Sequence, residues 1–327
     1  MTDILRNNWF VVLIAIIIIG FIGYFIYDTN KDNVSAKTTN NEQVVASINK
    51  DDITADDLYD ESTPYDGSTI YNMYKNAVID QSIKTTKDLK KQASTLESNI
   101  KSNASNQSDD YESTLTTELA KYGYASYEEL NDYCLTSVKE KEMNKKYITK
   151  HFDEVKKAWE EKSPRTVSII KMDVSDADNL TETETKKKSN IDKALEKESF
   201  ADVAKAFSED SNTANKNGFA GYVDSNSTSS DSSSTSTVPA DVVTAAIGLK
   251  KGETSDWITV TSSSGTSLYK VYVKETNSKK IFNAKSDTVS NQALYAILNS
   301  DSSLSYKILD SYAKKLDIKF NDKDTKK

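Results

Sequence analysis

The chain has 327 residues, with 42 Lys and Arg against 50 Asp and Glu, a formal charge of −8. An acidic balance of this kind repels phosphate backbones and excludes nucleic acid as a partner. A single histidine (His151) and a single cysteine (Cys134) exclude a Cys/His zinc site, an internal disulfide and any Ser-His-Asp or Cys-His pairing that does not use His151. No cofactor and no metal is expected, and 3 Pro with 9 Gly point to a polar, helix-rich chain of about two domains.

After a short cytoplasmic tail (residues 1–8), Trp9 to Tyr27 reads WFVVLIAIIIIGFIGYFIY, nineteen residues without a charge. At about 1.5 Å per residue this spans the hydrocarbon layer, with Trp9, Tyr24 and Tyr27 placed as interfacial belts. The rival reading is a cleaved signal peptide, for which Val34-Ser35-Ala36 is the candidate site. The length of the run and its distance from that site favour a retained transmembrane helix. Flanking charges (Arg6 against Lys31 and Lys37) hardly set the orientation. The bulk of the chain lying beyond the span makes a single-pass cell-membrane protein with its C-terminal part extracellular the simplest topology. Residues 28–43 are polar and form a tether.

Residues 44–164 read as a helical region. Val44 to Asn49 alternates as a strand; Thr54 and Asp57 then have the spacing of a helix start. Ser126 and Glu129 form a capping box ahead of the apolar stripe Leu130, Cys134, Leu135 and Val138, which makes Cys134 a core residue. One helix is expected over Met143–Trp159, ended by Ser163-Pro164 and carrying His151 on its surface.

From Arg165 the pattern changes. Thr166 to Val174 alternates as a strand. Thr181 with Glu184, and Ser199 with Asp202, cap two helices. Asn217 to Val223 is glycine-bearing, and Asp224 to Thr237 is almost wholly Ser, Thr, Asp and Asn, a composition expected to remain disordered. A helix over Val242–Leu249 and strands at Trp257–Val260 and Leu268–Val273 follow. The order describes an α+β chain in which residues 165–275 form a mixed domain with an antiparallel sheet. Residues 276–327 return to helix through Val289, Leu294, Leu298, Tyr306, Leu309 and Leu316.

These segments resemble the PrsA/SurA type of extracytoplasmic foldase, and residues 165–275 resemble a parvulin-type peptidyl-prolyl isomerase domain. The resemblance rests on Phe200 to Asp210 (FADVAKAFSED), on Asn217 to Val223 (NGFAGYV), and on Val238 to Glu253 with its Gly252-Glu253 turn. Outside that domain it rests on Val44 to Leu58 and on Tyr122 to Leu130. It implies that the N- and C-terminal helical segments pack together into a chaperone module with the parvulin-like domain inserted between them. The implied clients are unfolded or partly folded exported proteins, with the membrane bound through Trp9 to Tyr27 and room for a homodimer.

For the site, the resemblance implies Asp210 at the catalytic polar end and Ala220, Val238, Val242 and Ile247 as the substrate-binding wall. The two histidines usual in the first and last strands are absent; the aligned positions are Ile169 and Lys270. The sequence therefore leaves two readings open. One is a foldase with weak or absent isomerase activity, and the other is a non-catalytic surface or adhesion protein that reuses the scaffold.

Overall fold

The computed structural model describes residues 38–39, 42–48, 51–54, 67–228 and 238–316. The expected membrane span Trp9–Tyr27, most of the tether and residues 229–237 of the polar insert lie outside these residues. Among the described residues no helix is long and apolar enough to cross a membrane. The chain divides into two compact units, Met1–Lys146 with Tyr306–Lys327, and Tyr147–Ser305.

In the first unit, Thr38–Thr39 (β1), Glu42–Ile48 (β2) and Asp51–Thr54 (β3) form an antiparallel sheet in that order. Thr54, expected to cap a helix, instead pairs with Val44 at the end of β3. Four helices follow: Gly67–Ser82 (α1), Lys87–Ser105 (α2), Tyr111–Ala120 (α3) and Leu130–Lys150 (α4). The Thr86 hydroxyl accepts a hydrogen bond from the Leu89 amide and starts α2. The expected capping box forms, with the Glu129 carboxylate accepting from the Ser126 amide at the 3-10 turn Tyr127–Glu129 that leads into α4. Cys134 is buried beside Leu130 and Val138 in sequence, within a core that also takes Val78, Ile79 and Leu119. Burial pushes its thiol up to about 11, so it is an inert core residue at neutral pH.

The expected single helix over 143–159 is two. After α4 the chain leaves helical geometry at His151 (φ −111°, ψ 25°) and restarts as Phe152–Glu160 (α5). The imidazole faces the new first turn, with Nδ1 3.0 Å from the Glu154 carboxylate, and stacks on Tyr147 at 4.4 Å.

The second unit is built on a four-stranded antiparallel sheet. Arg165–Val174 (β4) is followed by Glu182–Leu195 (α6), Phe200–Phe207 (α7), Ser211–Ala214 (α8) and Phe219–Val223 (β5). Ala240–Gly248 (α9), Ile258–Ser262 (β6) and Gly265–Glu275 (β7) complete it, in strand order β5-β4-β7-β6. Ser278–Phe282 (α10), Asp287–Ser300 (α11) and Leu304–Lys315 (α12) close the described chain. Nearly all of β4 is buried, because both faces of the sheet are covered. On one face Val167, Ile169, Val271 and Val273 pack with Val242, Val243 and Ala246 of α9. On the other, Ile170, Met172 and Leu268 pack with Ile191 of α6 and Phe200 and Val203 of α7. Each such side chain contributes about 1.5–3 kcal/mol of burial. Gly218, at φ +75°, carries the chain into β5; a Cβ there would stand 2.6 Å from the Ala204 Cβ and 2.8 Å from the Ile169 carbonyl oxygen, so only glycine fits.

The start of the polar insert is ordered. Its first residue, Asp224, is only 3% exposed, and Ser225–Thr228 forms a 3-10 turn. The Asp224 carboxylate accepts hydrogen bonds from the Tyr222 hydroxyl (2.6 Å), the Asn226 and Ser227 amides and the Ser227 hydroxyl. The buried Trp159 indole in turn donates to the Tyr222 oxygen at 2.8 Å. Composition alone missed this, because a carboxylate followed by Asn and Ser satisfies backbone donors locally and gains order without apolar burial. Asp224→Ala strands the buried Tyr222 hydroxyl and two amides, at roughly 1–3 kcal/mol for each unsatisfied buried donor. Urea unfolding of the variant is expected to show at least the lower end of that loss, and an unchanged midpoint would contradict the network.

Candidate active site on the central strands

The pairing of β4 with β7 decides which side chains meet. Ile169 lies opposite Val271, Lys171 opposite Tyr269, and Asp173 opposite Ser267. Directly opposed residues share a face, and alternate residues along a strand return to it. Val167, Ile169, Lys171 and Asp173 therefore form one row, and Val273, Val271, Tyr269 and Ser267 the row beside it. The face runs from apolar at one end, under α9, to polar at the other. β6 extends it, with Ile258 opposite Tyr269 and Val260 opposite Ser267.

This register corrects one expectation. Lys270 pairs with Ile170 and so points to the opposite face from Ile169. There its Nζ is 3.5 Å from the Asp192 carboxylate, donates to the Ser255 carbonyl at 3.3 Å and stands 5.2 Å from the centre of the Trp257 ring. The last-strand position that shares the Ile169 face next to the polar end is Tyr269. A shift of one residue reverses sidedness in a strand.

At the polar end the Lys171 ammonium pairs with the Asp173 carboxylate at 2.9 Å, which also accepts from the Ser267 hydroxyl at 2.7 Å. Partial burial pushes the Asp173 carboxyl up, but the hydrogen bonds from Lys171 and Ser267 outweigh it and hold the group below the usual carboxylate range. Burial raises the Tyr269 phenol above 10; Lys171 opposes this, and the charges of Asp210 and Asp173 add to it.

Asp210 is placed by the two residues before it. β5 stops pairing at Ser168, and the free edge of β4 beyond that point is taken by Ser208 and Glu209. The Lys171 amide donates to the Ser208 hydroxyl (3.1 Å), the Glu209 amide to the Lys171 carbonyl (2.9 Å), and the Asp173 amide to the Glu209 carboxylate (2.7 Å). The Asp210 carboxylate then accepts from the Asn212 amide at 3.1 Å and the Thr213 hydroxyl at 2.8 Å. Asp210 is thus the cap of α8 as well as a charge beside the face.

The expected wall residues come together. Val238 and Val242 are buried within the cluster that contains Ile169 and Tyr269, and Ala220 and Ile247 pack against it half-exposed. Val242 has no exposed surface, so it supports the wall from beneath. The partly exposed residues packed against the cluster are Ala220, Ala245, Ile247, Leu249, Ile258 and Val260. His151 is not on this face. Sequence reading did not find Lys171, Asp173, Ser267 or Tyr269, although the period-two alternation of Tyr269, Val271 and Val273 carried the signal.

Arg165 was missed as well. Only 7% exposed, it donates through Nη1 to the carbonyls of Ala246, Ile247 (2.6 Å) and Leu249 (2.9 Å), and through Nε to Ser163 (3.0 Å). It thereby satisfies the last carbonyls of α9 and places a cation at the negative end of the helix. Two clefts lie elsewhere in this unit. One, of about 350 Å³, is bordered by Phe219, Lys274, Lys280 and Val289; the other, of about 450 Å³, is lined by Asp192, Phe200, Lys270 and Tyr272 on the far face.

Residues 169–272 match the rotamase family model, described as a PPIC-type PPIase domain. The matched stretch takes in most of the four-stranded antiparallel sheet and its helices, and in this it is similar to a PPIC-type PPIase domain. Over a longer span the chain is similar to the foldase PrsA of Bacillus subtilis (22% identity, TM-score 0.41, covering 86% of this chain and 96% of that one). It is similar also to the foldase protein PrsA of Streptococcus pneumoniae (22% identity, TM-score 0.37, 86% and 96%). A SurA-like chaperone of Campylobacter jejuni aligns at 15% identity and TM-score 0.24, over 86% of this chain and 100% of that one. No curated protein matches the chain.

Arg165→Met removes the donors that hold the end of α9, and hydrogen bonds to a charged group are worth about 1.5–3 kcal/mol each. The variant is expected to lose about 3 kcal/mol of stability, with hydrogen exchange accelerated first at Ala245 to Leu249. Uniform exchange across the unit would show that Arg165 does not position the helix.

Proposed function

We propose that the chain is a membrane-anchored extracytoplasmic foldase that receives unfolded or partly folded exported proteins and isomerises their Xaa-Pro bonds on the β4/β7/β6 face. The observation that carries this reading is the coincidence of the family match with an apolar wall that ends in a polar cluster on one face of the sheet. Rotation about a prolyl amide meets a barrier of about 18–20 kcal/mol, set by loss of amide resonance. A catalyst needs no nucleophile and no metal for this. It needs to hold the proline ring, strip water from the amide, which favours the less polar twisted state, and offer a hydrogen bond to the twisted form.

Ala220, Ile247, Ile258 and Val260 supply the apolar surface for the ring. The carboxylates and ammonium at Asp210, Asp173 and Lys171 stay at its edge. The apolar run Trp9–Tyr27 supports the anchor, with the catalytic unit outside.

The first unit supports a holding role for clients. Met73, Tyr122 and Tyr306 are exposed there, and Tyr71 is packed 5.8 Å from Tyr306 and 6.2 Å from Tyr74, centroid to centroid. Exposed aromatic and thioether groups of this kind adapt to unrelated apolar segments. The absence of histidine from the face favours a second reading, a non-catalytic surface protein on the same scaffold.

Both activities are to be measured on the full chain, as proline-peptide isomerisation and as suppression of aggregation of an unfolded protein. Ile258→Asp places a charge on the exposed wall beside Tyr269 and is expected to lower isomerisation about tenfold, equivalent to about 1.4 kcal/mol of barrier, with aggregation suppression kept. Val242→Asp is not an equivalent test, because a carboxylate in that fully buried position destabilises the fold itself. Wild-type chain that suppresses aggregation and does not isomerise would favour the non-catalytic reading.

A further inference from the structure

Among the described residues of the candidate face, Lys171, Asp173, Ser267 and Asp210 are already engaged. The Lys171 ammonium is paired with Asp173, and the Ser267 hydroxyl donates to the same carboxylate. The Asp210 carboxylate is taken up by Asn212 and Thr213. Tyr269 differs. The residue is 9% exposed and belongs to the apolar cluster, yet its hydroxyl makes no hydrogen bond to any described residue, and it is not sealed from solvent. A tyrosine held so deeply usually satisfies its hydroxyl within the protein. Here Ile258 stands opposite on β6 and packs against the same cluster, and the hydroxyl keeps access to solvent.

We infer that the Tyr269 hydroxyl is the hydrogen-bond donor to the twisted prolyl amide, a catalytic assignment that rests on the isomerase reading above. In the planar amide the nitrogen lone pair is delocalised into the carbonyl and accepts poorly. Rotation localises it on nitrogen, which becomes a good acceptor midway through the turn. A donor at that point stabilises the transition state more than either ground state, the condition for catalysis. No bond is made or broken, and the phenol keeps its proton throughout. Tyr269 is neutral and directional, and it stands beside the apolar surface that holds the ring. Lys171 is tied to Asp173, and a carboxylate cannot donate.

The charged groups facing Tyr269 are Lys171 and Asp173 from β4 and Asp210 from the turn before α8; β6 and α9 contribute apolar side chains to the cluster. Burial raises the phenol above its ordinary 10, with the two carboxylates adding and Lys171 opposing. The donor form is therefore complete at lower pH and disappears only as pH rises through the raised value. The isomerisation rate is expected to be flat between about pH 6 and 9, since no group that titrates there acts on the amide.

The test compares full-length wild type, Tyr269→Phe and Tyr269→His by exchange NMR on an Ala-Pro peptide, with peptide affinity and thermal midpoint measured alongside. Tyr269→Phe deletes one oxygen atom that has no protein partner. It is expected to cut kcat/KM about 10- to 100-fold, with peptide affinity within about twofold and the midpoint within a few degrees. Tyr269→His is expected to restore a donor but to make the rate follow an ionisation near pH 6.5. Should Tyr269→Phe fail to fold, the pH profile of Tyr269→His decides, and a flat profile there overturns the assignment. An active wild type matched by an equally active Tyr269→Phe overturns Tyr269 alone and leaves the isomerase reading standing. A folded wild type that binds the peptide and does not isomerise it overturns both.

Discussion

The antiparallel pairing of β4 with β7 is the constraint on which the second unit depends. Its register, from Thr166 against Glu275 to Val174 against Thr266 and shifted once between Thr166 and Val167, sorts the two strands onto two faces. One face receives Ile169, Val271 and Tyr269 and is covered by α9; the other receives Ile170, Met172 and Leu268 and is covered by α6 and α7. A slip of β7 by one residue would turn its apolar set to the wrong face and bring Lys270 onto the face of Ile169. The burial of so many β-branched side chains on both sides makes that slip prohibitive, and the same energetics that specify the fold thereby specify the site.

Support for the site is distributed over segments far apart in the chain. Arg165, at the start of β4, holds the end of α9 through three carbonyls. Ser208 and Glu209 occupy the free edge of β4 beyond β5 and so deliver Asp210. Trp159, Tyr222 and Asp224 form a buried polar chain that ties α5 to the end of β5. The Trp159–Tyr222–Asp224 bonds and the Arg165 bond to Ala246 are buried, where each is stronger than at the surface and costly to break. They brace the elements that carry Ala220 and Ile247, as a surface that must select the twisted form of a flexible peptide requires.

Much of this was legible before the structure. The capping boxes at Ser126 and Thr181 and the cap at Ser199 all form, because short polar side chains three residues from a partner are local decisions. The strands at Thr166–Val174 and Leu268–Val273 followed from alternation, whereas the grouping of Ala220, Val238, Val242 and Ile247 in one cluster was implied only by the family resemblance. What was missed depends on pairing across distance. The sidedness of Lys270 and Tyr269 needs the β4/β7 register, and the role of Arg165 needs Ala246 in the last turn of α9, 81 residues later in sequence. Helices α1 to α3 left little trace because they bury few residues, as α2 does with Leu89 and Ala93 alone. The break at His151 and the ordered start of the polar insert at Asp224 are local hydrogen-bonding solutions that composition does not reveal.

The central claim is that one face of the sheet, lacking any histidine, receives a proline-containing segment. Titrating the full-length chain with a short Xaa-Pro peptide and following backbone amide and methyl NMR shifts locates the contact directly. The account predicts perturbations confined to Ala220, Ile247, Ile258, Val260 and Tyr269, with Leu195, Phe200 and Tyr272 on the far face unmoved. Shifts centred on the far face, or on none of these residues at peptide concentrations that saturate binding, would contradict it.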